Sequence, residues 1–369
     1  MRARKLLEIA GILFGGIFCA AQSTHGQSSV PQTVNAKLDV RAAGSNLGVT
    51  IKGIVATADS PMWIGYQVAG VPGEHGDCCG NSKGGSDGHS NGVWHLEKER
   101  TSGGGSRRTN NDVKVEGGNE LWILYRADKR HIERIRMISD HCELDGGGLR
   151  LIWLTDVKSQ ESVAFLSKFV QGGEISDGDE SRIGEQALTA IALHGDAAAD
   201  KALEKFSSPG EPEALRKRAS FWMGAARGAA GLAQLEKMAK TDPSSEVRAQ
   251  VSFALFVSKE PGATEEIIRM ARDDGSPHVR GQALFWLAQK AGTKAEDAIA
   301  GAITNDPDTE VKKKAVFALS QMPKDEGVPK LIEVAEKNKN PEVRKQAMFW
   351  LGQSEDPRAL AFFEKVLRD

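Results

Sequence analysis

The sequence predicts an α+β chain, with a small β-rich domain followed by a C-terminal all-α solenoid of about six two-helix repeats. Three observations predict it. Phe221, Phe253, Phe285, Phe317 and Phe349 recur at a constant interval of 32 residues. Two further columns keep that interval, Ala187, Ala219, Val251, Ala283, Ala315 and Ala347 before the phenylalanines and Ile191, Met223, Leu255, Leu287, Leu319 and Leu351 after them. A period of this size marks stacked units, each burying its apolar face on its neighbours. Ahead of the repeats, from about 36 to 156, short runs of β-branched and aromatic residues are separated by Gly, Asn and Asp, the pattern of strands.

Residues 1–21 read as a targeting segment, followed by a linker over 22–35. Arg2, Arg4 and Lys5 form a charged start, Ile9 to Phe18 a short apolar core interrupted upstream by Glu8, and Cys19-Ala20-Ala21 a small-residue cleavage site. A lipid-modified cysteine normally follows a small residue, whereas Phe18 precedes Cys19, so the pattern favours soluble export with a mature start near Gln22. The expected location is periplasmic or secreted, with no stable membrane insertion after cleavage. An oxidising compartment makes one disulfide and one leftover thiol the simplest account of Cys78, Cys79 and Cys142. Cys142 is expected to pair with Cys78 or Cys79, because sequence neighbours pair only with strain.

The β-rich domain is expected over 36–158. Lys37 to Val40, Val49 to Val55, Met62 to Val68, Leu121 to Tyr125 and Leu149 to Leu154 read as strands of a sheet of about five to seven. A Gly-, Ser- and Asn-rich insertion over 70–118 reads as a long loop around a short strand at Val93 to Leu96. Over 159–177, Ser159 to Val170 reads as a connecting helix, and Gln171 to Glu180 as a flexible link. The formal charge is −2 with both signs interspersed. The densest basic stretch, Arg100 to Arg136, is interleaved with Asp112, Glu116, Glu120, Asp128 and Glu133, a solvated ladder rather than a nucleic-acid surface.

The solenoid is expected over 178–369, with Thr189 in place of phenylalanine in the first unit. In the third unit Asp242-Pro243 ends the preceding helix and Ser244 or Ser245 caps the next, whose Val247, Val251, Leu255 and Phe256 follow a helical period up to Pro261-Gly262. A shorter helix with Ile267, Ile268 and Met270 on one face closes the unit. The phenylalanines are expected in the core of the first helices. The apolar column Leu203, Leu235, Ile267, Ile299, Leu331 and Phe363 marks the second helices.

Candidate chemistry is sparse. His75, Cys78, Cys79, His89 and His95 offer imidazole and sulfur ligands suited to zinc or copper, yet the cysteines are adjacent and the histidines scattered, so a disulfide with exposed loop histidines is the better reading. Gly84-Gly85-Ser86-Asp87-Gly88 matches the hydrolase-elbow pattern but lacks the flanking strand and helix that the elbow requires. Asp177 to Glu180 begins like a calcium loop, but Leu188 stands where the bidentate glutamate is needed. Trp222, Trp286 and Trp350 occupy every second unit, with Ala254 and Ala318 between them, and serve either as exposed anchors or in large-small packing. Gln289, Gln321 and Gln353 are expected to bond backbone in the next turn. Arg248, Arg280 and Arg344 are expected in salt bridges to acids of adjoining units, such as Glu246 and Asp274.

The Asp-Pro start, the Val247-Arg248, Val279-Arg280 and Val343-Arg344 pairs, with Lys312 and Lys314 in the fifth unit, and the short second helix resemble the HEAT-like repeats of phycobilisome lyases. Phe317-Ala318-Leu319-Ser320-Gln321 through Phe349-Trp350-Leu351-Gly352-Gln353 is similar to the closing stretch of secreted bacterial HEAT-repeat proteins of unassigned function. Cys142-Glu143-Leu144-Asp145-Gly146-Gly147-Gly148 with Trp153-Leu154 is similar to their non-repeat part. The resemblance implies a HEAT-like solenoid used as a binding surface, and no catalytic residue, because the shared positions are packing positions. HEAT-like repeats also support the deoxyhypusine hydroxylase design, in which His-Glu pairs hold two irons, but this sequence contains no His-Glu dipeptide.

These readings converge on an exported, non-catalytic scaffold that holds a protein or peptide along the second helices. Trp222, Trp286, Trp350, Lys237, Glu265 and Glu333 are its candidate contacts, and no cofactor is expected. Two alternatives stay open: an envelope protein binding zinc or copper through the His/Cys-rich loop, and an enzyme accessory subunit. Self-association is also open.

Overall fold

Strands of the first region form two sheets in the computed structural model, which describes residues 30–72, 89–90, 93–97, 120–139, 143–172, 179–290 and 293–368. In chain order the elements are β1 (Thr33–Val34), β2 (Lys37–Ala42), α1 (Leu47–Val55), β3 (Met62–Ala69), β4 (His89–Ser90), β5 (Val93–His95), β6 (Glu120–Asp128), β7 (His131–Ser139), β8 (Glu143–Asp145), β9 (Arg150–Thr155) and α2 (Ser159–Gly172). The larger sheet has the order β2-β9-β3-β6-β7, parallel across its first three strands and antiparallel across the rest, and the smaller has the order β1-β8-β5-β4.

Alternation along the strands builds two cores. Ile64, Tyr66, Val68, Leu121, Ile123, Tyr125, Ile152 and Leu154 face α1, α2 and the solenoid. Trp63, Trp122, Leu124, Leu151 and Trp153 face the small sheet, where Leu96 and Leu144 meet them. Gly65 leaves room for the Trp153 ring, which a Cβ there would strike at 2.8 Å.

The expected strand at Val49 to Val55 is instead the helix α1. Leu47, Ile51, Ile54 and Val55 share one buried helical face, Asn46 accepts from Val49 N at 3.0 Å as N-cap, and Glu161 of α2 accepts from Leu47 N at 2.8 Å. Spacing and capping override the β-branched composition. Conversely, β7 lies in the stretch taken as a solvated ladder. Its charged side chains lie beside β6, where Arg126 pairs with Glu97 and Glu133. The segment 1–21, Cys78, Cys79, Cys142 and most of the insertion lie outside the described residues.

Six helix pairs follow among the described residues: α3 (Asp179–Leu193) with α4 (Ala197–Phe206), α5 (Glu213–Ala226) with α6 (Gly228–Thr241), α7 (Ser245–Val257) with α8 (Ala263–Asp273), α9 (Pro277–Gln289) with α10 (Thr293–Asn305), α11 (Thr309–Ser320) with α12 (Lys324–Lys337), and α13 (Pro341–Gln353) with α14 (Pro357–Arg368). The columns Ala187 to Ala347 and Ile191 to Leu351 are fully buried, as is the second-helix column from Leu203 to Leu331. Phe221, Phe253, Phe285 and Phe317, expected in the core, are only half-buried, and Phe349 is 53% exposed. At about 100° per residue, a position two residues from both core columns points about 200° away from either.

The sheet and the solenoid meet in a buried polar chain. His194 Nδ1 donates to Ala190 O at 2.6 Å, which leaves Nε2 to accept from Ser162 Oγ at 2.9 Å. Ser162 Oγ in turn meets the Tyr66 hydroxyl at 2.6 Å, and that hydroxyl meets Tyr125 at 2.7 Å. Gly195 N donates to Ala69 O at 2.8 Å and Val71 N to Leu193 O at 2.9 Å. A side chain at Gly195 would collide with the Gly70 carbonyl, so the close approach requires glycine.

Candidate binding surface

Arginines at the 32-residue interval are consumed inside the stack. Arg216 grips Asp242 at 2.9 and 3.2 Å, Arg248 grips Asp274 at 2.8 and 3.0 Å, and Arg280 grips Asp306 at 2.7 and 3.0 Å, each fork-on-fork. Arg248 and Arg280 also donate to the carbonyls of Asp242 and Asp274, so each ties two successive turns. The expected partner Asp274 is found for Arg248, whereas Glu246 faces His278 at 3.3 Å. Among the described residues Arg344 donates to the carbonyls of Asn338 and Lys339 and to no carboxylate. The glutamine ladder does not form: Gln289, Gln321 and Gln353 are exposed, and Gln321 bonds its neighbour Ser320. These side chains sit at the ends of the first helices.

Half-buried aromatic rings run along the first helices. Phe221 stacks on Phe253 at 6.0 Å and Phe285 on Phe317 at 6.2 Å. Trp286 bridges the two pairs, 4.7 Å from Phe253, 5.0 Å from Phe256 and 4.8 Å from Phe285, and Trp350 stands 4.9 Å from Phe317 and 5.0 Å from Phe349. Trp222 lies edge-on to Phe221 at 5.2 Å. Trp286 and Trp350 thus join neighbouring units through their rings, whereas the ring contact of Trp222 stays within its own helix. Replacing Trp286 with alanine is expected to lower stability by about 2 kcal/mol, below the value for a fully buried ring, as read by urea unfolding.

Charges on the second helices pair from unit to unit. Lys237 of α6 meets Glu204 of α4 at 3.1 Å, Lys294 of α10 meets Glu265 of α8 at 2.7 Å, Lys330 meets Glu296, and Lys365 meets Glu336 at 3.1 Å. Glu333 pairs within its own helix with Lys337 at 3.2 Å. Exposed pairs of this kind contribute little to stability, at most about 1 kcal/mol each, so their charges remain available to a partner. Between α4 and α6 the row opens into a cleft of about 290 Å³, bordered by Lys201, Lys205, Ser208, Gln234, Lys237 and Thr241. The 32-residue interval pointed to the second helices but not to the cleft, whose Ser207, Ser208 and Pro209 come from a turn specific to the first unit.

Of the candidate metal ligands His75, Cys78, Cys79, His89 and His95, only His95 has a described side chain. His75, Cys78, Cys79 and Cys142 lie outside the described residues, as does the side chain of His89 in β4. His95 on β5 turns Nδ1 to Asp145 at 2.5 Å, and its buried Nε2 has no partner among the described residues. Among the described residues no group of three His, Cys, Asp or Glu side chains could hold a metal. The Ser162–His194 pair has the spacing of a nucleophile and its base, but both residues are fully buried and committed to Tyr66 and Ala190. Sequence reading missed this pair, since nothing local relates positions 32 apart on α2 and at the end of α3. Among the described residues no helix is long and apolar enough to cross a membrane.

Residues 264–339 and 296–369 match the family described as HEAT repeats. No curated protein matches the chain. Among solved structures, human deoxyhypusine hydroxylase is similar at 16% identity over 56% of this chain and 90% of its own, with a TM-score of 0.26. The complex of CpcE and CpcF of phycocyanin lyase from Nostoc sp. PCC7120 is similar at 21% identity over 42% of this chain and 99% of its own, with a TM-score of 0.32. A mutant of Kap121p is similar at 14% identity over 53% of this chain and 25% of its own, with a TM-score of 0.35. The C-terminal region, α5 to α14, is thus a helical repeat region whose residues 264–369 match HEAT repeats, preceded by a small β-containing region.

Proposed function

We propose that the chain is an exported, non-catalytic scaffold that holds an extended segment of another protein along its second helices. The observation that carries this reading is the second-helix row itself. It presents exposed charges of both signs from unit to unit and one recess, between α4 and α6, deep enough to seat a side chain. Both features favour a polar peptide over a small apolar ligand. Lys237 and Glu265 stand on that row, with Glu333 further along it, whereas Trp222, Trp286 and Trp350 serve the packing of the first helices. Export rests on the charged and apolar pattern of residues 1–21.

The test is affinity retention from native envelope extract, with the chain recovered from the exported fraction and its N-terminus read by mass. Wild type is expected to start near Gln22 and to retain one specific protein. The Lys201→Glu, Lys205→Glu, Lys237→Glu triple variant is expected to retain it at least about tenfold less while unfolding at the same denaturant concentration. Retention unchanged by the triple variant would remove the cleft from the account.

A further inference from the structure

Cationic charge at the cleft between α4 and α6 exceeds what its lining absorbs. Of the two acids there, Glu204 pairs with Lys237 at 3.1 Å, and buried Asp242 is spent on Arg216 at 2.9 and 3.2 Å and on Ser244 N at 2.9 Å. Lys201 and Lys205 stand exposed on the same lining and meet no carboxylate among the described residues. The hydroxyl protons are committed as well: Ser207 Oγ donates to Glu204 O at 2.9 Å, Ser208 Oγ to Lys205 O at 2.6 Å and Thr241 Oγ1 to Lys237 O at 2.8 Å. Gln234 Nε2 gives one proton to Ser207 Oγ at 3.0 Å and keeps a second. The cleft therefore offers a ligand N–H donors that carry positive charge, and its match is an anionic group that only accepts.

The excess is local to this end of the row. At the 32-residue interval the position of Lys201 is taken by Glu265 in the third unit and by Asp297 in the fourth, and that of Lys205 by Glu333 in the fifth. Arg269, which follows Lys205 in the third unit, is already held by Glu266 at 2.5 Å. A polyanion laid along the second helices would thus meet like charge from α8 onward, whereas a short acidic cluster within a mixed segment would not. We propose, taking the second-helix row as the binding surface, that this cleft seats carboxylates of the bound segment against Lys201 and Lys205. The protein held here is then one that presents an acidic cluster, or its terminal carboxylate, at the α4–α6 end of the row.

Fluorescence anisotropy of the full chain with dye-labelled synthetic peptides tests this. The probes are a Gly-Ser peptide with an internal run of glutamates, the same peptide with glutamines, both amidated, and the glutamine peptide with a free C-terminal carboxylate. Wild type is expected to bind one of the carboxylate peptides at least about tenfold tighter than the amidated glutamine peptide, and which one gains tells side chain from chain terminus as the source. That advantage is expected to vanish in Lys201→Gln, Lys205→Gln and to persist in Lys259→Gln, Lys345→Gln, which removes the same charge at exposed lysines outside the cleft. Equal binding of all three peptides, binding of none, or an advantage that both double variants treat alike overturns the proposal. If Lys237 still crosslinks a native protein in that case, the scaffold keeps its surface and loses only the carboxylate; if it captures none, the scaffold itself fails.

Discussion

Replacing His194 with alanine is expected to lower the unfolding free energy by about 3 to 4 kcal/mol, because it takes from Ser162 one of its two partners and from the Ala190 carbonyl its imidazole donor, and opens a cavity where sheet and solenoid meet. The same residue sets an acid limit. Burial, the largest cause, pushes the His194 imidazole down from 6.5 to about 4. Between those values the unfolded chain takes a proton that the folded one refuses, so stability is complete above pH 6.5 and declines as pH falls towards 4. The loss reaches about 3 kcal/mol at the bottom of that window. Chemical unfolding at pH 7 and pH 4.5 checks it: the gap between the two is expected to shrink in His194→Gln, which has no proton to take. An undiminished gap would place the acid sensitivity elsewhere.

The second large effect lies in the arginine ladder. Arg280 and Asp306 are both buried, and Asp306 Oδ1 also accepts from Asp308 N at 2.8 Å to close its turn. Arg280→Ala is expected to cost about 3 to 5 kcal/mol by leaving the Asp306 carboxylate buried and unpaired. The double variant Arg280→Ala, Asp306→Asn is expected to lose clearly less than the sum of the singles, since the neutral amide keeps the turn bond without the stranded charge. Urea unfolding of the four proteins reads the coupling. Additive losses would show that the pair does not act as a unit.

The interval of 32 residues made the repeats legible before any coordinate, because stacking forces each unit to offer the same buried positions to its neighbours. The buried columns from Ala187 and Ile191 onward are where that argument placed them. Periodicity alone did not separate core from seam. Phe253 repeats as faithfully as Leu255, yet lies half-exposed, since inter-unit stacking is periodic too. In the first region α1 was misread because Val49, Ile51, Ile54 and Val55 are β-formers, and the helix depends on Asn46 and on Glu161, which lies 114 residues from Leu47. The joint through Tyr66, Tyr125, Ser162 and His194 was not legible, since its members come from β3, β6, α2 and the turn after α3. Of the candidate surface, the charges were visible and the cleft was not, because its depth depends on how α4 and α6 diverge.

Site-specific photocrosslinking in the native envelope tests the central claim most directly, with the reactive group placed singly at Lys205 and Lys237 on the second-helix row and at exposed Lys314 on a first helix. The account predicts that positions 205 and 237 capture the same protein and that position 314 does not. Capture from position 314 alone would contradict it and move the binding surface to the aromatic side of the solenoid.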